Sequence, residues 1–344
     1  MIPAPFLLYL GGSTDPLSIK TSRGLAAFRR GDCLGEFRHD ECPLTLGLPR
    51  MDMAEAAAAG ARTLILGVAG AGGKLNPGLV ADAAAALEAG MNVASGLHHR
   101  LRDEPRLAAL AEARGLALFD VRDPPSDLAV GTGYERTGRR ILTVGTDCSV
   151  GKMYATIALA EGLRARGEAA DFRATGQTGI LIAGGGVAVD AVVADFISGA
   201  VEQLAPARFD GGWDVIEGQG SLFHPSFAGV SLGLLHGAQP EALVLCHEPG
   251  RAHMRGIPGR ALPDLATCLA ANLDAARLTS PAVYPAGICL NTSALAPEAA
   301  RRLCAETEDR FGLPCTDPYA FGVASIIDGL LCHESSKRST TASR

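Results

Sequence analysis

Aromatic residues are scarce in this sequence: they make up 5% of its 344 residues, and there is a single tryptophan. The hydrophobic fraction is nevertheless 47%, and 42 residues are glycine. A core of small and aliphatic side chains is typical of helices packed on a sheet and argues against an aromatic-rich β-sandwich. Because the chain is longer than one compact core usually is, we expect an α/β protein with two domains.

The sequence also lacks an excess of positive charge and a long apolar run. The formal net charge of −6 gives no overall attraction to nucleic acid or anionic lipid. No apolar run approaches the roughly 20 residues that cross a bilayer, and the apolar start at residues 1–10 has no basic segment of the kind that begins a signal peptide. We expect a cytoplasmic homo-oligomer, a dimer or larger, that acts on small molecules and has no nucleic-acid or membrane partner.

Cysteine pairs with regular spacing are missing as well. The nine cysteines are scattered, and none form a C-x-x-C motif. This pattern predicts neither a disulfide framework nor a cysteine zinc site. We therefore expect a reducing compartment and no bound metal.

Short apolar runs alternate with alanine-rich stretches in the first half of the chain. Strands are predicted at residues 5–10, 63–68, 91–95 and 116–120, and helices at 77–89 and 105–114. This alternation indicates a parallel sheet covered on both faces. The loop Gly67–Lys74 follows a predicted strand but does not match G-x-G-x-x-G, so it is either a cofactor site or a tight connection.

Turn-forming and charged residues between 122 and 138 predict a domain boundary. Strand and helix then restart, with strands predicted at 140–144, 214–216, 242–246 and 286–290 and a helix at 152–166. We therefore assign residues 1–133 to an N-terminal domain, 134–332 to a second domain and 333–344 to a flexible tail rich in Ser, Thr, Lys and Arg.

The segment after the strand at 140–144 has the pattern of a phosphate-binding loop. Backbone N–H groups at a helix start, a helix dipole and a lysine together bind an anion. The spacing is one residue longer than G-x-x-x-x-G-K, and methionine follows the lysine where a Mg²⁺-binding hydroxyl would stand. A thioether is a poor Mg²⁺ ligand, which favours phosphate binding with weak or absent Mg²⁺ over an ordinary glycine-rich turn. The predicted ligand-binding residues are Gly145, Thr146, Asp147, Cys148, Ser149, Val150, Gly151, Lys152 and Met153.

This loop resembles the extended loop of dethiobiotin synthetase, as does the acidic-glycine strand end at residues 215–220. A closer resemblance spans nearly the whole chain and is carried by four blocks, at residues 172–180, 186–199, 217–225 and 287–293. In these blocks the chain resembles the D-glutamate N-acetyltransferase (DgcN-type) family, many of whose members are known only as proteins of unknown function.

The resemblance implies a Rossmann-like N-terminal domain and a C-terminal domain of the P-loop NTPase type. It also implies transfer of acetyl from acetyl-CoA to the amine of D-glutamate. The pyrophosphate of coenzyme A could occupy the loop without the metal that Met153 disfavours. The alternatives are an ATP- and Mg²⁺-dependent ligase or kinase resembling dethiobiotin synthetase, and a nucleotide-sensing protein without turnover.

Acetyl transfer to an amine needs a base, donors for the oxyanion and a cation for the substrate carboxylates. The predicted catalytic residues are Glu217, which follows a strand, His224 on a loop, and Lys152. Glu217 could instead cap a helix, and His224 could satisfy a local hydrogen bond. Cys148 could be activated by a helix start and carry the acetyl group, or it could be a small packed side chain.

Candidate substrate ligands cluster after the strand that ends near residue 173. They are Arg173, Thr175, Gln177 and Thr178, together with Asp190 and Asp195 on a predicted helix. Arg173 suits an anion, unless it forms a surface ion pair. By resemblance to dethiobiotin synthetase, Asn291 could read an adenine edge. The segment His247–His253 lacks the H-E-x-x-H spacing of a zinc site and is predicted to be a loop at the site's mouth.

Overall fold

The structure is a computed structural model that describes residues 2–68 and 75–342. The chain forms two compact α/β units. The first contains Met1–Pro125 and Gly176–Ala191, and the second contains Ser126–Thr175 and Val192–Arg344. The sequence assigns residues 134–332 to a single domain, whereas part of that range belongs to the first unit. The predicted Gly67–Lys74 loop lies outside the described residues from position 69 onward.

A parallel sheet of five strands forms the centre of the first unit. The strands are β1 (Phe6–Gly11), β2 (Cys33–Arg38), β3 (Thr63–Leu66), β4 (Asn92–Ser95) and β5 (Leu118–Asp120). Their spatial order is β2-β1-β3-β4-β5. Four of them lie at the predicted positions, and β2 was missed by the sequence analysis.

Among the described residues, four α-helices of this unit precede the second unit in the chain. They are α1 (Lys20–Phe28), α2 (Met53–Ala58), α3 (Pro77–Glu88) and α4 (Pro105–Arg114). A capping box of Asp52 and Glu55 begins α2. Prolines occupy the first turns of α3 and α4, where no backbone donor is needed. Buried side chains of β1, β3 and α3, including Leu7, Leu64 and Ala83, form the core on one face of the sheet.

The second unit is built on a parallel sheet of six strands. The strands are β6 (Arg139–Gly145), β7 (Ala170–Arg173), β8 (Trp213–Ile216), β9 (Ala242–His247), β10 (Tyr284–Leu290) and β11 (Cys315–Thr316). Their spatial order is β11-β10-β9-β6-β8-β7. The strands predicted at 140–144, 214–216, 242–246 and 286–290 are confirmed.

The remaining helices follow in chain order. They are α5 (Lys152–Ala165), α6 (Gln177–Ala183), α7 (Ile197–Leu204), α8 (Ala228–Ala238), α9 (Leu265–Arg277), α10 (Pro297–Phe311) and α11 (Ala324–Ala342). Of these, α6 belongs to the first unit. Helix α11 continues to Ala342, so most of the predicted tail is helical. The described helices include none with the length and apolar character needed to cross a membrane.

The order of the second sheet determines where a ligand can bind. Strand β6 lies between β8 and β9, and all six strands are parallel. The loops that follow β6, β8, β9 and β10 therefore leave the sheet at one edge. In open parallel sheets this carboxyl edge is the usual place for ligands.

Candidate functional site

The predicted phosphate loop connects β6 directly to α5. Strand β6 ends at Gly145 and α5 begins at Lys152, with Gly151 as the N-cap residue. Gly151 has a φ of +103°, which favours glycine, and Ser149 has a φ of +56°. A Cβ atom on Gly145 would lie 3.1 Å from Lys152 Nζ. The two terminal glycines of the motif thus allow a tight turn and a close approach of the lysine.

Lys152 is held inside the loop by two main-chain carbonyls. Its Nζ donates to the carbonyls of Asp147 and Gly220, at 2.8 Å each. The side chain is buried, and burial lowers the pKa of Lys152 below its ordinary value. The lysine therefore links the phosphate loop to the loop after β8, and it places positive charge at the base of the site.

Arg251 contacts the phosphate loop from the loop that follows β9. One guanidinium nitrogen donates to Asp147 Oδ2 at 2.9 Å and to the Cys148 carbonyl at 2.6 Å, and the other donates to the Ser149 carbonyl at 3.0 Å. The backbone N–H of Arg255 also donates to Asp147 Oδ2, at 2.8 Å. This segment, which includes Arg251, was predicted to lie at the mouth of the site, but Arg251 was given no binding role. Its position after a strand that neighbours β6 was the available signal.

The residues after β8 form a second buried part of the same edge. Glu217 is 5% exposed and accepts a hydrogen bond from the Thr175 N–H at 3.0 Å. Thr175 Oγ1 donates to the Glu217 carbonyl at 2.5 Å, and Gln219 Nε2 donates to Thr175 Oγ1 at 3.2 Å. A Cβ on Gly218 would lie 1.7 Å from the Thr143 carbonyl oxygen, so this position requires glycine. The carboxylate of Glu217 is therefore held in a fixed position beside a tight turn.

His224 lies close to two residues of the phosphate loop. One ligand atom each from Asp147, Cys148 and His224 lies within 4.8 Å of the other two. The sequence predicts no metal ligands here, yet this spacing could suit either a cation or a nucleophile with its base. Both ring nitrogens of His224 have protein partners, at 3.0 and 3.2 Å. Because Arg251 pairs with the Asp147 carboxylate, that carboxylate is less available to a cation.

Two further predicted residues are Thr146, which lies within the loop, and Asn291, which lies beside it. Thr146 is fully buried, and its Oγ1 lies 2.9 Å from His247 Nδ1. Burial, with a smaller effect of Arg251, lowers the pKa of His247 below its usual value. Asn291 follows β10, and its Cβ would lie 3.6 Å from a Cβ on Gly151. Asn291 thus lies at the helix-start end of the loop, where the sequence predicts a nucleotide contact.

The predicted substrate ligands are divided between the two units. Thr175 lies beside Glu217, as described above. In the first unit, Thr178 Oγ1 lies 2.8 Å from Thr21 Oγ1, and a Cβ on Gly96 would lie 2.7 Å from Gln177 Cγ. The motif at residues 173–179 is thus divided, with residues 173–175 in the second unit and residues 176–179 in the first.

The charged substrate candidates have protein partners or are exposed. Arg173 Nε donates to the fully buried Asp214 at 2.7 Å, so Arg173 forms an ion pair, although with a buried partner rather than at the surface as the alternative had it. The helix predicted across Asp190 and Asp195 is wrong. Two separate 3₁₀ turns hold these residues, one in each unit, and Asp190 accepts a hydrogen bond from Arg122.

Comparisons with known proteins agree with this architecture. A family model described as a domain of unknown function, the DUF1611 P-loop domain, matches residues 127–327. A second, the DUF1611 Rossmann-like domain, matches residues 35–124. A crystal structure of a DUF1611 family protein from Anabaena variabilis ATCC 29413 has a TM-score of 0.88 at 33% identity, covering 96% of this chain and 99% of that one. Both predicted domain types are confirmed.

Two curated relatives match over nearly the full length. The chain is 48% identical over 329 residues to D-glutamate N-acetyltransferase from Pseudoalteromonas sp. It is also 48% identical over 330 residues to D-glutamate N-acetyltransferase from Tritonibacter scottomollicae. Each alignment covers 96% of this chain and 99% of the relative. The chain therefore belongs to the DUF1611 family, and its full-length similarity to two N-acetyltransferases makes it an acyltransferase.

Proposed function

We propose that this protein transfers the acetyl group of acetyl-CoA to the amino group of D-glutamate. The observation that carries the proposal is 48% identity to two D-glutamate N-acetyltransferases over 96% of the chain. The geometry at the carboxyl edge of the second sheet supports the same chemistry.

The phosphate loop suits the pyrophosphate of coenzyme A. The start of α5, a helix of 14 residues, directs backbone N–H groups and the positive end of its dipole at the loop. Lys152 and Arg251 add positive charge there. Met153 stands where a nucleoside triphosphate enzyme has a Mg²⁺-binding hydroxyl, so a co-substrate without a transferred phosphate fits better.

An acceptor amine has to lose a proton before it attacks the acetyl carbonyl. Glu217 has a carboxylate at the same sheet edge, held by the Thr175 N–H. We assign Glu217 the role of accepting this proton from the D-glutamate ammonium. The second base candidate, His224, lies beside Cys148.

A direct assay tests the proposal. Purified protein is incubated with acetyl-CoA and either D- or L-glutamate, and N-acetylglutamate is measured by mass spectrometry. We expect product with D-glutamate and without added Mg²⁺ or ATP. Absence of any N-acetylated product from D-glutamate would contradict the proposal. The ATP-dependent ligase alternative, favoured by the extended loop and Glu217, predicts ADP release that requires Mg²⁺ and a substrate.

Replacing Lys152 tests whether the loop binds coenzyme A. We expect Lys152→Met to weaken CoA binding by about 1.5–3 kcal/mol, roughly 10- to 150-fold in Kd, as measured by calorimetry. Arg277→Met is the matched control because Arg277 is an exposed cation on α9 that pairs locally with Asp274. Equal CoA affinity in the two variants would remove Lys152 from the binding site.

The remaining expectations concern the cellular setting. Seven of the nine cysteines are buried and scattered, which suits a reducing cytoplasm. We propose small-molecule substrates and a homo-oligomer in solution, and sedimentation of the purified protein measures the number of subunits.

A further inference from the structure

Cys148 has the exposure expected of a reactive cysteine. Of the nine cysteines, seven are buried, Cys148 is partly exposed and Cys332 is exposed. Cys148 lies in the phosphate loop, shortly before α5 begins at Lys152. A buried cysteine acts as a small apolar side chain, whereas a thiol that a substrate can reach can act as a nucleophile.

His224 provides a base next to this thiol. A ring nitrogen of His224 and Cys148 Sγ lie within 4.8 Å of each other. The His224 Nε2 atom lies 3.0 Å from the Arg255 carbonyl, which can only accept, so Nε2 carries the proton. The Nδ1 atom accepts a hydrogen bond from the Ser226 N–H at 3.2 Å. These partners select a neutral imidazole with its lone pair on Nδ1, and a proton transferred from the thiol to Nδ1 replaces the hydrogen bond from Ser226.

Two cations contact the backbone around Cys148, and the carboxylates of Asp147 and Glu248 pair with one of them, Arg251. Arg251 donates to the carbonyl of Cys148 itself, and Lys152 donates to the carbonyl of the preceding residue, Asp147. The start of α5 adds the positive end of a helix dipole. Cations and helix starts are the surroundings in which nucleophilic cysteines occur.

The carboxylate of Asp147, the residue before Cys148, has a buried oxygen without a hydrogen-bond donor in the described part of the chain. Asp147 is fully buried, and its Oδ1 has no hydrogen-bond partner within residues 2–68 and 75–342. Its Oδ2 is held by Arg251 and by the Arg255 N–H. Unsatisfied buried acceptors are rare in native proteins, so this oxygen is available to an N–H donor of a substrate that displaces the groups covering it.

We propose that Cys148 carries the acetyl group as a covalent thioester during the reaction. This inference rests on the proposed function. In the first step His224 takes the Sγ proton, the thiolate attacks the acetyl carbonyl, the bond from that carbon to the CoA sulfur breaks, and the proton passes to the departing sulfur. In the second step the neutral amine attacks acetyl-Cys148, its proton passes through His224 to Sγ, and the thioester bond breaks. One acetyl group moves and no redox reagent is required.

Trapping the intermediate on the wild-type protein tests this mechanism. The protein is mixed with acetyl-CoA alone, quenched in acid and measured by intact mass. We expect an added mass of one acetyl group, mapped to the peptide that contains Cys148. Subsequent addition of D-glutamate should discharge it and yield N-acetylglutamate. Initial rates should give parallel double-reciprocal lines, as a double-displacement reaction requires.

Amino-acid variants distinguish the chemical role of the Cys148 thiol from general effects of a substitution on the structure. Cys148→Ala should gain no acetyl group and lose turnover, while it keeps the wild-type melting temperature and CoA affinity. His224→Gln should form the acetyl-enzyme more slowly. Cys332→Ser is the matched control, because Cys332 lies on α11 outside the site, and it should behave as the wild type does.

Each other outcome has a distinct meaning. Retained turnover in Cys148→Ala, or intersecting lines without an acetyl-enzyme, would overturn the covalent mechanism and leave the proposed function intact. A second outcome is activity that is lost with a chelator and restored with zinc, without an acetyl-enzyme. That result would assign Asp147, Cys148 and His224 to a metal site and would also overturn the covalent mechanism. An acetyl-enzyme that is not discharged by D-glutamate would support Cys148 and refute the proposed acceptor.

Discussion

Single residues from distant parts of the chain complete the phosphate loop. Arg251 contacts Asp147 across 104 positions of sequence, and Lys152 reaches Gly220 across 68. These contacts bring two cations to the loop, where Lys152 binds main-chain carbonyls and Arg251 pairs with the carboxylates of Asp147 and Glu248. The loop motif is local, but its electrostatics are supplied by neighbouring strands.

The role of Glu217 can be tested by a nearly isosteric change. In Glu217→Gln the amide oxygen can still accept from the Thr175 N–H, so we expect the turn to persist. An amide cannot accept the ammonium proton, and kcat should fall by about 10²- to 10⁴-fold with little change in CoA affinity. Steady-state kinetics and calorimetry measure the two effects. An unchanged kcat would show that Glu217 takes no part in proton transfer.

The lowered pKa of His247 predicts a pH dependence of stability. The unfolded chain binds a proton at this residue near the ordinary histidine pKa of about 6.5, whereas the folded protein binds it only at lower pH. The contribution of His247 to the free energy of unfolding is therefore complete above the unfolded-state pKa of about 6.5 and is lost as the pH falls through the folded-state pKa.

Denaturant titrations above and below about pH 6.5 measure how the free energy of unfolding depends on His247. We expect His247→Asn to show a smaller loss of stability on acidification than the wild type. His253→Asn, at an exposed position in the same loop, should retain the wild-type pH dependence. Identical pH profiles for the wild type and His247→Asn would show that His247 does not contribute.

At the level of elements, the junction between β8 and the following loop is the most constrained part of the site. A side chain at Gly218 would collide with the Thr143 carbonyl of the adjacent strand β6. Strands β6 and β8 pair directly, so neither backbone can move away alone. The close approach keeps Glu217 and Gly220 in place on either side of the glycine.

Gly218→Ala tests this constraint. We expect a loss of about 2 kcal/mol or more in the free energy of unfolding, because the clash involves main-chain atoms. The matched control is Gly229→Ala in α8, where an added Cβ meets no atom within 4 Å. That variant should be neutral or more stable by up to about 1 kcal/mol, through better helix propensity. Equal stabilities in urea titrations would contradict the steric argument.

Strand β2 shows why one element was missed from the sequence. Its residues, Cys-Leu-Gly-Glu-Phe-Arg, include a glycine and two charges and do not form an apolar run. Glu36 is nevertheless fully buried, because Thr45 Oγ1 and the Leu46 N–H donate to its carboxylate at 2.7 and 2.6 Å. Hydrogen bonds from a later loop offset the burial of the charge, and a sequence pattern cannot reveal them.

At the level of the whole molecule, the chain returns to the first unit after the second has begun. Helix α6 packs on α1, and Leu181 is buried in the core cluster that contains Phe6 and Ile65. Arg29 of the first unit also donates to the Leu181 carbonyl at 3.0 Å. The fold of the first unit is therefore completed by residues that the sequence assigns to the second domain.

Leu181→Ala tests this assignment. We expect a loss of about 2–5 kcal/mol from the core of the first unit. Hydrogen exchange should increase in β1 and β3 and remain unchanged in β6. The control Leu232→Ala, at a position in α8 that is 40% exposed, should alter neither. Faster exchange confined to β6 and β9 would place α6 in the second unit instead.

The sequence alone determined the features that depend on neighbouring residues. Most strands, the helix after the phosphate loop and the loop itself follow from apolar runs, glycine positions and a lysine, and the long family blocks identified both domain types. The tertiary structure decided which distant groups meet, namely Cys148 with His224, Arg251 with Asp147, and α6 with α1. Strand order sets these contacts, and it depends on how whole elements pack, which local periodicity does not encode.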